Sequence, residues 1–256
     1  MTTTLAHPPT TDLPAVRPLR FPTLLAVETR KMLDTRSGRG LIAAALALAT
    51  GVLAWKLAHP VIAADFGNYS GGVESAVVFI VPLLGLMAMT AEWTQRTALK
   101  TFTLAPRRLP VFAAKYAAAL LVSLAALAAG LALSAVAVGV GGALHGPASF
   151  AGWAGDVRGA VVLVVLQVTL AAAFGALVAN TPVALSAYLL APTVWSLVAE
   201  NVLGVTAEWF DVFRAYDRLS SPTPLAHGAR TLSAVALWIV LPAVIGLART
   251  LRREIK

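Results

Sequence analysis

The sequence predicts an all-α membrane protein with six spans, and its composition, its apolar runs and its turn signals lead to this prediction. Of its 256 residues, 58% are hydrophobic and only 12% are charged, and the mean hydropathy is +0.78. Soluble proteins average about 25% charged residues, and a soluble fold of this length cannot bury so much apolar surface. The apolar runs are rich in Ala and Leu and lack the alternation of a lipid-facing β-barrel. We therefore expect one transmembrane domain over residues 21–248, between tails 1–20 and 249–256.

Charged residues and turn signals delimit the expected spans. In chain order these are residues 41–57, 73–91, 112–144, 159–179, 181–199 and 231–248. Each is long enough to cross a hydrocarbon layer of about 30 Å as a helix, some with tilt. Asn180 and Pro182 divide one uncharged run into a hairpin of two spans. An alternative divides the uncharged run 116–155 as well and gives seven spans.

Basic residues concentrate on one face of the six-span arrangement. An even number of spans places both termini on the same face, and that face carries 15 of the 20 Lys and Arg residues. Such an excess is typical of the cytoplasmic side, so both termini are expected to be cytoplasmic. The first tail, residues 1–20, is rich in Thr and Pro and is expected to be disordered. Seven spans would place the basic C-terminal tail outside, which favours six.

Several kinds of chemistry find no support in the sequence. Cysteine is absent, and none of the five lysines follows a glycine, as the P-loop for ATP phosphates requires. No pair of histidines has the spacing of a metal site. The middle of each expected span lacks ionisable residues, which argues against a carrier that titrates protons. We therefore predict no catalytic, cofactor or metal site.

Residues 21–35 are predicted to form an amphipathic helix before the first span. Phe21, Leu25 and Met32 fall on one side at 100° per residue, so the helix is expected to lie flat at the membrane surface. Glu28 projects among these apolar residues. Two interpretations remain open: a carboxylate that snorkels to water, or a polar contact with another subunit or loop.

Residues 92–105 form the second informative element, a basic segment predicted to be a short helix that ends before Pro106. Glu92 and Arg96 lie at i,i+4 spacing and can pair. Lys100 lies one helical turn beyond Arg96, and Phe102 offers an apolar contact on another side. The ordered apolar residues favour a protein partner, and acidic lipid headgroups are the alternative.

The two elements together resemble the permease subunits of bacterial ABC-2 type exporters. A helix with Glu28 and Lys31 before six spans carries part of the resemblance. The rest is the block formed by Glu92, Arg96-Thr97, the run Leu104-Ala-Pro-Arg-Arg108, and Lys115. The resemblance covers the chain from about Phe21 to Arg253.

The resemblance implies a non-catalytic, multi-pass subunit of the bacterial inner membrane that exports a drug, peptide, lipid or similar substrate. It implies three partners: a separate ATPase subunit that holds ATP and Mg, a second copy of this permease or a related one, and membrane lipid. No cofactor on this chain and no nucleic acid are implied. Residues 21–35 would be the elbow helix, with Glu28 as a contact, and residues 92–105 the coupling helix. The ATPase contacts would be Glu92, Arg96, Thr97, Lys100, Phe102, Arg107 and Arg108.

Two functions from other classes remain alternatives. One is a carrier that works alone on an electrochemical gradient. The other is a membrane sensor or immunity protein that binds a peptide without moving it.

Overall fold

The computed structural model describes residues 20–59, 64–95, 108–221, 223–224 and 227–252, apart from the side chains of residues 200 and 252. Within these ranges the chain is helical, and an isolated β-bridge joins Asp65 to Ser149. The α-helices are α1 (Phe21–Asp34), α2 (Arg36–Ala58), α3 (Phe66–Ile80), α4 (Leu83–Thr94), α5 (Arg108–His145), α6 (Trp153–Val178), α7 (Thr181–Leu203), α8 (Val212–Ser220), α9 (Gly228–Val235) and α10 (Leu241–Arg252). A 3-10 helix covers Gly204–Trp209, and a π-helix covers Ala236–Val240.

Six stretches of the described chain are long and apolar enough to cross a membrane. They are Arg36–Ala58, Phe66–Thr94, Arg108–His145, Trp153–Val178, Thr181–Trp209 and Gly228–Leu251. The prediction of an all-α protein with six candidate spans is thereby confirmed. Six such helices are what a multi-pass membrane protein would have. Helix α5 runs unbroken for 38 residues, so the division of the run 116–155 into two spans does not occur.

The second span begins earlier than the sequence indicated. Helix α3 starts at Phe66 rather than near residue 73, because the Asp65 carboxylate accepts a hydrogen bond from the Asn68 N–H at 2.8 Å and caps the helix. Tyr69 lies before the apolar run and carries a hydroxyl group, which suggests a loop, yet it is only 3% exposed. Glu74, taken from the sequence as a boundary residue, therefore lies eight residues inside the helix. An ionisable residue thus lies about a third of the way along the span Phe66–Thr94 rather than at its boundary.

Contacts between helix ends define the two ends of the bundle. At the N-terminal end, Leu24 of α1 packs with Val111 of α5, and the Arg108 side chain donates a hydrogen bond to the Thr250 carbonyl. At the opposite end, the His145 ring nitrogen Nε2 lies 2.8 Å from the Leu57 carbonyl oxygen. The described chain therefore starts and ends at the same end of the bundle.

Close packing in the bundle depends on small residues at crossing points. Gly130 of α5 lies under Val73 of α3, and a methyl group added at Gly130 would come within 2.4 Å of the Val73 side chain. Gly246 of α10 lies against the backbone of α6, where an added methyl would approach Leu177 N to 2.6 Å. Helices that touch at glycine approach each other more closely than larger residues allow.

Three spans are interrupted within the bundle. Val81 and Pro82 separate α3 from α4, Pro192 lies inside α7, and the π-helix Ala236–Val240 precedes Pro242. Proline removes an N–H donor and clashes with the preceding turn, so it breaks or bends a helix. The first and third of these features divide their spans into separate helical segments, whereas α7 continues as one helix through Pro192.

Candidate functional site

Four charged side chains from α1, α4 and α5 meet at the N-terminal end of the bundle, and we refer to them as the ion cluster. They are Glu28 and Lys31 of α1, Glu92 of α4 and Lys115 of α5. Lys115 Nζ lies 3.2 Å from Glu28 Oε2 and 3.0 Å from Glu92 Oε1. Lys31 Nζ lies 2.7 Å from Glu28 Oε1 and 3.7 Å from Glu92 Oε1. Each lysine therefore faces both carboxylates.

The ion cluster is buried because each helix turns its charged residue inward. Glu28 lies between Leu24 and Met32 on the buried stripe of α1, at four-residue spacing, and is only 5% exposed. Lys115 is 3% exposed and Glu92 is 7% exposed. Lys31 is the solvent-facing member, since its side chain is 48% exposed.

The contacts to Glu92 differ from those to Glu28. Lys31 and Lys115 both donate hydrogen bonds to Glu28. Glu92 Oε1 lies within ion-pair distance of both lysines, but among the described residues it has no partner in hydrogen-bond geometry. The Lys115–Glu92 attraction is therefore Coulombic and lacks the directional contribution that charge-assisted hydrogen bonds add. Of the two contacts across helices that Lys115 makes, the one with Glu28 is better formed.

The ion cluster is electrically balanced, with two carboxylates and two ammonium groups. A buried charge is costly unless opposite charges compensate it, so removing one member of the ion cluster should destabilise the protein. The arrangement contains no nucleophile, and its lysines face carboxylates rather than an open cleft. Its contacts fix the end of α4 to α1 and α5 through Glu92, four residues before the segment 96–107, and Lys115, eight residues after it.

The residues predicted to contact a partner fall into two groups. Glu28 and Glu92 belong to the ion cluster, and Arg108 lies at the start of α5, bonded to Thr250. Arg96, Thr97, Lys100, Phe102 and Arg107 lie outside the described residues, and so does the expected Glu92–Arg96 pair. The alternative of a snorkelling Glu28 does not fit its burial and its two lysine contacts.

Sequence reasoning did not assign Lys31 and Lys115 to a site with Glu28. A signal existed for each. Lys31 follows Glu28 at i,i+3, a spacing at which helical side chains meet. Lys115 is the only charged residue between Arg108 and His145 in the long apolar helix α5. A lone charge in such a run indicates a buried partner, because an isolated charge there is costly.

A second polar cluster lies at the opposite end of the bundle. Glu208 accepts contacts from Arg230 at 2.6 Å, Arg214 at 3.0 Å and Arg218 at 3.3 Å. The Arg230 guanidinium also lies 5.8 Å from the centre of the Trp209 ring, a cation–π geometry. This cluster joins α8 and α9 to the 3-10 helix and organises the connection between the last two spans.

Among the described residues, no group of three or more His, Asp or Glu side chains could hold a metal ion. Comparisons of the chain with protein-family models, with curated proteins and with solved structures find no match.

Proposed function

We propose that this chain is the membrane-spanning permease subunit of an ATP-binding cassette exporter, in which a separate subunit hydrolyses ATP. The ion cluster is the observation that carries the proposal. It joins the chain on either side of the segment 96–107, since Glu92 lies four residues before the segment and Lys115 eight residues after it. A partner seated on this segment would move α1, α4 and α5 together. Transport would follow from rocking of the spans between two states.

The long helix α5 supports this role for the N-terminal end. Its 38 residues correspond to about 57 Å, well beyond a hydrocarbon layer of about 30 Å. Part of α5 therefore protrudes, and Lys115 lies only seven residues from its start. The excess of basic residues at this end favours a cytoplasmic position, where ATP and an ATPase subunit would be found. In this proposal α1 is the elbow helix and residues 92–105 are the coupling helix.

The test is co-purification of the permease with an ATPase subunit, and a P-loop ATPase encoded next to the gene for this chain would be the partner to try. Arg96→Ala, Lys100→Ala and Phe102→Ala should each reduce partner retention and partner ATPase stimulation, while the permease still inserts. An apolar anchor at the centre of an interface often contributes about 2 kcal/mol or more. The matched control is Arg30→Ala, which removes a basic residue at the same end whose side chain is 84% exposed.

Lipid binding by the segment predicts a different pattern. Under that alternative the effect follows total charge, so Arg96→Lys and Phe102→Ala leave the activity unchanged. Full retention of the partner and its activity in all three variants and in the triple variant would remove this segment from the coupling role.

Glu74 favours one second candidate, a carrier driven by an ion gradient. It lies about 12 Å along α3 from the start of the helix, and an ionisable residue within a span often marks an ion pathway. Transport by the reconstituted chain alone, driven by a proton gradient and abolished by Glu74→Gln, would support this candidate. ATP-dependent transport that persists in Glu74→Gln would exclude it.

A further inference from the structure

We propose that Thr181 is a positioning residue that latches the turn between α6 and α7 onto the last turn of α4. Through this latch, a displacement of the end of α4 reaches α7 directly. The role of the latch in transport rests on the proposed function, whereas the latch itself does not.

Three hydroxyl groups form the latch. Thr181 Oγ1 lies 2.7 Å from Thr90 Oγ1 and 3.1 Å from Thr94 Oγ1. The Thr181 N–H donates to Thr94 Oγ1 at 3.3 Å, and Thr90 Oγ1 donates to the Leu86 carbonyl at 3.1 Å. One assignment of protons satisfies these contacts: Thr181 donates to Thr90 and accepts from Thr94. The first residue of α7 is thus bonded to two successive turns of α4.

The latch and the ion cluster involve residues on opposite faces of α4. Glu92 lies two residues from Thr90 and two from Thr94, so at 100° per residue it points about 160° away from each of them around the helix axis. Glu92 faces Lys115 of α5, whereas the two threonines face Thr181 of α7. The end of α4 is therefore held from both sides within one helical turn.

Helix α4 is built to move as a unit. It has 12 residues and is separated from α3 at Val81 and Pro82, where the missing proline N–H interrupts the hydrogen-bond ladder. Near this break α4 packs tightly on α6: a methyl group added at Gly175 would lie 2.7 Å from the Leu86 carbonyl oxygen. A short rigid helix with a break at one end and a close contact beside it can tilt about that contact. The latched end then travels furthest.

Helix α7 can follow this movement. Pro192 lies inside this continuous helix eleven residues after Thr181, about 16 Å along the axis, where its missing N–H interrupts the hydrogen-bond ladder. Pro82 lies about 18 Å from Thr94. The interruptions in the two helices therefore lie at similar depth. The segments between the interruptions and the latch can tilt together without displacing the opposite end of the bundle.

The first experiment tests the latch in the purified chain alone. Because the chain has no cysteine, spin labels can be placed at Gln95→Cys and Val183→Cys, two exposed positions beside the latch. We expect a single narrow distance distribution from dipolar line broadening. Thr181→Val should widen it, and Thr181→Ser, which keeps the hydroxyl, should restore it. Thr193→Val is the matched control, since its hydroxyl donates to Leu189 O of its own helix.

An unchanged distribution in Thr181→Val would overturn the latch, whatever the protein transports. If Thr181→Val fails to insert, Thr94→Val gives the same test by removing the 3.1 Å contact and the acceptor for the Thr181 N–H. A widened distribution in Thr181→Val would support the latch whether or not an ATPase partner exists, and failure to recover such a partner would count only against the proposed function.

The second experiment tests coupling in the assembled complex. Thr181→Val should keep the partner bound and hydrolysing ATP, but transport per ATP should fall about fivefold or more, the lower range of measured coupling between sites. Thr181→Ser should recover it. A parallel loss of ATPase activity and transport, or no loss at all, would contradict a positioning role for Thr181.

Discussion

Lys115 Nζ lies 3.2 Å from Glu28 Oε2, and this contact joins two residues 87 positions apart in the chain. Lys115 is buried on a helix that carries no acidic residue, whereas Glu28 also pairs with Lys31 of its own helix. Because Glu92 completes the contact on the other side of Lys115, three helices depend on one ammonium group. This dependence makes the ion cluster sensitive to conservative substitutions.

Removal of the Glu28 charge should destabilise the protein. In Glu28→Gln, Lys115 keeps only the Coulombic contact with Glu92, so we expect a loss of about 1–3 kcal/mol in the free energy of unfolding. Asp34→Asn is the control, because the Arg30–Asp34 pair on the same helix is exposed and such pairs contribute about 0–1 kcal/mol. Denaturation in detergent measures both. Equal stabilities for the two variants would contradict the paired burial of Glu28.

Removal of the Lys115 charge should lower the free energy of unfolding more than removal of the Glu28 charge. Lys115→Met keeps the length of the side chain but leaves Glu28 and Glu92 facing each other with Lys31 alone between them. Measured cases of breaking a buried pair cost about 3–5 kcal/mol. The double variant Glu28→Gln/Lys115→Met should lose less than the sum of the two single losses, because the two residues share one interaction. Strict additivity in this cycle would argue against the contact.

Gly246 and Gly51 should respond in opposite directions to alanine. Alanine favours an isolated helix over glycine by about 1 kcal/mol. At Gly51 a new methyl group meets no atom within 4 Å, so Gly51→Ala should be neutral or stabilising. At Gly246 the methyl group would lie 2.6 Å from Leu177 N, so Gly246→Ala should destabilise by about 1–3 kcal/mol. Thermal melting of both variants decides whether α10 touches α6 backbone to backbone.

Glu208 should be the key residue of the cluster at the opposite end. Glu208→Gln weakens contacts to three arginines at once. Hydrogen bonds to charged groups stabilise a protein more than those between neutral groups, so we expect the free energy of unfolding to fall by about 1–3 kcal/mol. Asp217→Asn, at an exposed position of α8, is the matched control. Limited proteolysis between the last two spans should be faster in Glu208→Gln only. Identical cleavage in both variants would indicate that Glu208 does not organise this connection.

The two ends of the bundle should lie on opposite sides of the membrane. Single cysteines at Gln95 and Ala151 are exposed and lie at the N-terminal end and the opposite end, respectively. By the charge bias, an impermeant thiol reagent applied to intact cells should label Ala151→Cys and not Gln95→Cys. If only Gln95→Cys were labelled from outside, the predicted orientation would be wrong. If both cysteines were labelled from outside, the six-span arrangement would be wrong.

Much of the fold was predictable because the apolar runs are long and charges flank them. The turn before Thr181 was marked by Asn180 and Pro182, and α7 begins there. The start of α3 was less predictable, because the polar residues Asn68 and Tyr69 resemble a loop. The helical start near Asn68 depends on the Asp65 cap, and the burial of Tyr69 depends on neighbouring helices; a hydropathy pattern contains neither.

The candidate site was predictable only in part. The position of Glu28 on an apolar face indicated a polar contact as one of two possibilities, but the sequence did not choose the partner. The partner, Lys115, lies on another helix far along the chain. The three threonines of the latch gave no signal, since isolated Thr residues are common in membrane helices and their hydroxyls usually bond within their own helix.

The sequence by itself determined that the chain is helical, that six segments can cross a membrane and that basic residues collect at one end. These properties follow from the local cost of exposing backbone polar groups and charges to hydrocarbon, which each segment meets alone. Only the tertiary structure decided that Lys115 pairs with Glu28 and Glu92, and that Thr181 joins Thr90 and Thr94. Those contacts depend on which helices lie side by side and how they are rotated. That arrangement is set by the packing of all the helices together, with close approaches at residues such as Gly175 and Gly246.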